Sequence, residues 1–462
     1  MTYIRGADAA VYRATGFASE WHARYEQRFE KSAEARDDPE SRTARPVILS
    51  GRSIYYGALL YASYLVGGLR LAAFMQALLA AACLHMTVRR FVRGERRRVR
   101  SFLVLIAMTS FGSSLAFFTS YLVPDLFAGL AILAAAHLLS SEPQLKPDMI
   151  FWLLILCASC VMHSSILLII AILVTVMLIV SLTWNAPARG RIALLGLGLF
   201  VGLASEAIYY KSVQMTFGDP PVRPPFVMAR LIADGPGALY LRDRCPESGF
   251  TVCRYADRVP KSPYPAYSDA FLWSADPTVG VFTAADFDER RRIAAEETSF
   301  VAAVFTSDPL AVIRSTLGAV GVQATKWQLI EFNLNSAAQS GFAAELPPSQ
   351  MRLQARTLAF NKRMPVTLVE RMTLAFALLS LLSLLWLFAR GTLDQRMRLF
   401  VCVLLLGVTA DVIVCGAMST PHDRYLMRVV WLVPLGAYLC LTSREGSSNK
   451  QVAEDCLATD SV

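Results

Sequence analysis

Charged side chains are scarce: Asp, Glu, Lys and Arg make up 18% of the 462 residues, against about 25% in soluble globular chains. With 55% of the chain apolar and a mean hydropathy of +0.43, that shortage excludes an ordinary soluble protein. Histidine is rarer still, at five scattered positions, and no His/Cys group has zinc spacing, so neither a metal centre nor a cofactor is expected. Matched Gly/Pro-broken segments in two halves, the pattern of many transporters, are also missing. Residues 1–50 are polar and contain no charged region leading into an apolar stretch, so no signal peptide is read there. The net charge of +9 would suggest nucleic acid in a soluble chain. Here the surplus lies in short loops between apolar runs, which orients a membrane protein and gives no reason to expect a nucleic-acid partner.

Nine stretches have the roughly 20 apolar residues that a spanning helix needs. They fall at 70–88, 101–119, 121–139, 149–165, 166–184, 190–208, 368–389, 398–418 and 424–442. The fourth and fifth form one run from Met149 to Trp184, too long for a single crossing, and a turn near His163-Ser164-Ser165 is expected to divide it. Seven arginines between Arg89 and Arg100 mark the first connecting loop as cytoplasmic. Alternation puts Arg189, Arg191, Arg390, Arg396 and Arg398 on that side too, with a disordered cytoplasmic tail at 443–462. It puts residues 209–367 on the other face, periplasmic if the membrane is a bacterial inner membrane.

The expected organisation is therefore a first outer loop with interfacial helices at 1–69, six spans in 70–208, a cap domain at 209–367, three spans in 368–442, and the tail. The fold class is an all-α polytopic membrane protein with about nine transmembrane helices and a mixed extracytoplasmic cap. Alternation also places the amino terminus outside. Either Ile54 to Gly68 is a short extra span that returns the terminus inside, or a first helix precedes the given start. Within the cap, Cys245 and Cys253 lie eight positions apart, close enough for a hairpin-like disulfide in an oxidising compartment; two separate thiols are the alternative. The other seven cysteines are read as small apolar packing residues.

Chemistry is sought among ionisable groups near span ends, where burial is costly and such groups face polar cavities. Asp8 and Tyr12 are spaced to share one helix face; a solvated acid is the bland alternative. Asp125 follows Pro124 at the mouth of the third span, where it serves the chemistry or simply caps a helix. His422, Arg424 and Tyr425 lie in the turn before the last span, where an arginine fork suits a phosphate and where interfacial anchoring also explains it. Glu206 sits beside Tyr209 and Tyr210 near a span end, as a site acid or a snorkelling one. His163 is a turn residue or a cavity donor, and Asp411 lies deep enough in the eighth span to pair with another helix.

Taken together, these features resemble the GT-C superfamily of polytopic membrane glycosyltransferases, of the protein mannosyltransferase and aminoarabinose transferase type. The resemblance rests on GADAAVY at Gly6 to Tyr12, GRSIYYGALLY at Gly51 to Tyr61, Pro124-Asp125-Leu126-Phe127, and Arg424-Tyr425 opening a late span that contains Pro434. It covers the helical part broadly through short motifs. Ala9 follows Asp8 where some members carry a second acid, and the helix that precedes this loop in the family is missing, which points to a truncated start.

The resemblance implies inverting transfer of a sugar from a polyprenyl-phosphate carrier to a glycan, lipid or protein acceptor at the outer face of the membrane, in cell-envelope synthesis. It implies Asp8 as general base and Asp125 as a catalytic partner that orients Asp8 or the acceptor. Arg424, with Arg52 and His422 behind it, would neutralise the leaving phosphate, so no metal is needed. Tyr12, Tyr425, Glu206 and His163 would line the substrate site, with membrane lipids around it. The alternatives are a polysaccharide ligase or polymerase, and a transporter.

Overall fold

The computed structural model describes residues 2–24, 49–50, 53–141, 147–184 and 189–442. Helices are its only extensive regular structure; among the described residues the one β feature is an isolated parallel bridge between Leu49 and Val222. The protein is an all-α polytopic membrane protein. Its cap region is helical rather than mixed: helices Phe226–Ala233, Pro236–Arg244, Tyr267–Trp273, Phe287–Ala295, Glu297–Ser307 and Pro309–Ala324 follow one another along it. A cis peptide bond joins Cys245 to Pro246.

Among the described residues, six helices are long and apolar enough to cross a bilayer: Leu69–Phe91, Ser164–Thr183, Arg189–Phe217, Val366–Ala389, Gln395–Met418 and Asp423–Thr442. The remaining expected spans fall on shorter pieces with visible causes. The run 101–119 is cut at Gly112-Ser113-Ser114, giving helices Glu95–Phe111 and Leu115–Ser120. A Cβ on Gly112 would lie 2.7 Å from the ring of Phe376, so the backbone closes on a neighbouring helix where no side chain fits. The run 121–139 becomes helical only at Leu126, after Pro124, whose ring restricts the residue before it. The long apolar run breaks at His163, between helices Pro147–Met162 and Ser164–Trp184, as its length demands. Ile54–Gly67 is a helix of 14 residues, about 21 Å long, which falls short of the roughly 30 Å of a hydrocarbon core.

The chain divides into two compact units. One contains residues 1–54, 204–326 and 412–425, and the other 55–203, 327–411 and 426–462. The expected cap at 209–367 is therefore split, because the segment after Lys326 belongs with the membrane helices. Phe332 supplies the reason: it is buried and meets Phe117, Phe118 and Tyr121 edge-on, at centroid distances of 5.4, 5.2 and 4.6 Å. Edge-to-face clusters of this kind add to the stabilisation from burial alone. The backbone N–H of Leu329 also donates to Glu370 at the start of helix Val366–Ala389.

The first unit has its own core, built from Met228, Leu231, Ile232, Phe271, Phe282, Ile293 and Phe300 among others. Cys245 and Cys253 form a disulfide at its edge, with Cα atoms 5.5 Å apart. The proposed tail at 443–462 lies outside the described residues.

Candidate functional site

The second unit carries a buried charge cluster at a break in its last span. Helix Asp423–Met427 ends, residues 428–431 form turns, and helix resumes at 432–442. Such a break frees backbone groups that lipid cannot satisfy, so they must be matched from within the protein. Ser114 donates its hydroxyl to the carbonyl of Met427, and the Trp431 indole donates to the carbonyl of Arg428 at 2.9 Å. Gly129 makes room for that indole: a Cβ there would lie 2.8 Å from Trp431 Nε1.

The break aims Arg428 inward, where it is 1% exposed. Its Nη1 donates to Asp125 Oδ1 at 2.8 Å, and its Nη2 and Nε donate to Asp411 Oδ1 at 2.7 and 3.1 Å. A further bond from Nη2 reaches Ser165 Oγ at 3.2 Å. Ser165 then lies 2.8 Å from His163 Nδ1, which also accepts the Ser165 backbone N–H at 3.1 Å. Nδ1 is thus an acceptor, and a neutral His163 carries its proton on Nε2. Two carboxylates, one guanidinium, a hydroxyl and an imidazole from four helical segments meet in one network. A charge at this depth is retained only with such partners.

Asp125 and His163, both anticipated from sequence, therefore belong to one constellation. Asp125 does not cap its helix: its backbone is already helical and its side chain makes no cap bond. The arginine in this network is Arg428 rather than Arg424. Its signal was present in the sequence, since Arg428 and Asp411 both fall inside expected spans and each needs a partner there.

The first unit gathers the other candidates. Asp8 lies on helix Thr2–Thr15 and is 4% exposed, so the solvated reading does not hold for it. Ser19 donates its hydroxyl to Asp8 Oδ1 at 2.5 Å, and His22 Nδ1 stands 3.7 Å from Oδ2. Tyr12 stacks on the His22 ring at 3.6 Å, so the two residues chosen for a shared helix face do converge, with Ser19 and His22 as additions that sequence spacing did not reveal. Ser19 also accepts the Trp21 backbone N–H at 3.1 Å, which fixes the turn that returns the chain over Asp8.

His422 and Tyr425 meet edge-on at 5.3 Å, and the Arg424 guanidinium lies over the Tyr425 ring. His422 Nε2 faces the carboxylate of Asp269 at 3.5 Å. Among the described residues the partners of Asp8 are Ser19 and His22, not Arg424. Glu206 is half-buried on helix Arg189–Phe217, where Tyr209 donates to the Leu49 carbonyl at 3.4 Å. Arg52 lies outside the described residues. No group of three or more His, Cys, Asp or Glu suited to a metal ion occurs among the described residues.

A second polar knot in the second unit holds a helix end. Arg90 donates to the carbonyls of His137 and Ser140 at 2.8 and 2.6 Å, capping the carboxyl end of helix Leu126–Leu139, where a cation also meets the helix dipole. His137 stacks on Trp152 at 3.9 Å and contacts Thr87 at 2.9 Å. This knot has the character of a structural clasp.

No family model, no curated protein and no solved structure matches the chain.

Proposed function

We propose that this protein is a GT-C-like membrane glycosyltransferase that moves a sugar from a polyprenyl-phosphate carrier to a glycan, lipid or protein acceptor at the outer face of a cell membrane, by a single inverting displacement. The observation that carries this reading is Asp8, a carboxylate taken out of water yet held in a fixed orientation by Ser19 and His22. A general base needs that combination, because proton transfer depends on geometry as well as basicity. Asp8 takes the proton of the acceptor hydroxyl, and Tyr12 with His22 forms a flat wall suited to a sugar face. Arg424, at the entry to the last span, neutralises the leaving phosphate as the glycosidic bond breaks. The reading takes the short helices Glu95–Phe111, Leu126–Leu139 and Pro147–Met162 as incomplete crossings that bring the span count to about nine.

The test is transfer from polyprenyl-phosphate sugars by the protein in lipid vesicles. Asp8→Asn is expected to abolish transfer with the fold retained, and Arg424→Ala to raise the donor KM more than the acceptor KM. Undiminished transfer by Asp8→Asn rules it out as base.

The Asp125, Arg428 and Asp411 cluster favours a second reading, a transporter. Two acids and one arginine at a helix break resemble the ion pathways of transporters in chemistry. Substrate-dependent proton flux that vanishes in Asp411→Asn, without sugar transfer by the parent, would select that reading.

A further inference from the structure

Helices Glu297–Ser307 and Pro309–Ala324 meet at a bend of 112° and together are apolar enough to count as a broken crossing or a re-entrant pair. The break has a local cause. Asp308 caps the second helix, accepting the Ala311 backbone N–H at 2.9 Å, and Pro309 occupies the first helical position. The second helix has 16 residues and is about 24 Å long.

Its two faces differ sharply in what they meet. Val312, Ala319 and Gln323 are buried. Leu310, Ile313 and Leu317 are 78, 46 and 66% exposed, and Gly321 continues the row at helical spacing. Arg314 is the one charged residue on this stripe. A row of large exposed aliphatic side chains on one helix is not ordinary surface scatter.

The carboxyl end of this helix is fastened to chain that enters and leaves the membrane, all within the same unit. A Cβ on Gly416, near the end of spanning helix Gln395–Met418, would lie 2.7 Å from Val320 Cα, so the two backbones touch. Small residues permit such close approach between helices at membrane depth. The buried amide of Gln323 donates to the His422 carbonyl and accepts the His422 N–H, both at 3.0 Å. Lys326 adds an ion pair to Asp423 at 3.7 Å, where the last span begins. The helix that carries the exposed stripe is therefore tied at its carboxyl end to the ends of two membrane spans.

We infer that helix Pro309–Ala324 lies in the bilayer as part of a re-entrant or interfacial hairpin, with Leu310, Ile313 and Leu317 against lipid acyl chains and the Arg314 guanidinium reaching back to headgroup phosphates. The aliphatic stem of an arginine covers apolar surface while its charge stays in the polar layer. This surface is a lipid contact and needs no assumption about the reaction.

Leu317→Trp tests it in vesicles containing lipids brominated on their acyl chains, with Val279→Trp in a polar loop of the same unit as the control and emission read against the unsubstituted protein. The added emission of Leu317→Trp is expected to be blue-shifted relative to Val279→Trp, lost in brominated lipid and insensitive to aqueous iodide. Ile313→Trp gives the same reading should Leu317→Trp not fold. Added emission that behaves like Val279→Trp, quenched by iodide and untouched by bromine, overturns the inference. Blue-shifted emission insensitive to both quenchers also overturns it, since it shows a face covered by protein.

Discussion

Replacing Arg428 with Met keeps an unbranched apolar stem, though a shorter one, and removes the guanidinium that, among the described residues, stands between the two acids. Asp125 and Asp411 lose three short hydrogen bonds between them, at 2.8, 2.7 and 3.1 Å, and Ser165 loses a fourth at 3.2 Å. With Arg428 1% and Asp411 0% exposed, solvent offers little relief. Removing one partner of a buried ion pair costs about 3–5 kcal/mol, chiefly because the other charge stays buried. The expected loss is of that size. Adding Asp125→Asn and Asp411→Asn to Arg428→Met removes both orphaned charges and should recover more than half of it, since contacting residues do not contribute additively. The assay is reversible unfolding in mixed micelles titrated with denaturing detergent. A loss below about 1 kcal/mol for Arg428→Met, or a triple variant no more stable than the single one, refutes the reasoning, because either result means the cluster is hydrated or already neutral.

Other consequences are equally specific. Gly129→Ala should cost about 1–3 kcal/mol by forcing Trp431 off the break, and Gly129→Ala with Trp431→Phe should lose less than the sum of the two, as a double-mutant cycle would show. Alkylation of the denatured, unreduced protein should modify seven of the nine cysteines, leaving Cys245 and Cys253; nine modified thiols would dispose of the bridge. Burial pushes the hydroxyls of Tyr255 and Tyr267 up from 10.0 to about 12, assisted at Tyr255 by its hydrogen bond to Glu289. The folded state therefore holds these protons more tightly than the unfolded chain, so their contribution is complete below pH 10 and is lost as the pH rises towards about 12. Tyrosinate absorbance should show late-titrating groups that Tyr255→Phe and Tyr267→Phe each reduce by one, and Glu289→Gln should bring Tyr255 only part of the way back, since burial, the larger cause, is unchanged.

The apolar runs revealed the membrane helices because hydropathy reads burial in lipid directly, and the length of Met149 to Trp184 located the break at His163. Other breaks were less legible. Gly112-Ser113-Ser114 and Arg428 to Trp431 interrupt runs whose composition stays apolar, and their causes are contacts with residues far along the chain, such as Ser114 with Met427. The same limit explains why Arg424 was among the expected site residues and Arg428 was not. Both stand at the start of one apolar segment, and only the turn at 428–431 directs the second inward. Asp8 and Tyr12 were legible from helical spacing, whereas Ser19 and His22 join them through a chain reversal that no periodicity records. The aromatic pocket around Phe332 moved the far end of the expected cap into the membrane unit, because a run of polar residues hides one well-placed ring.

Sugar transfer with Asp8 as base is tested most directly by carrier consumption by the purified protein in vesicles, measured with polyprenyl-phosphate sugars labelled on the sugar. It predicts that the parent moves label from carrier to acceptor, and that Asp8→Asn, still folded and still embedded, does not. Label that leaves the carrier equally fast with either protein, or that never leaves it with any sugar offered, contradicts it.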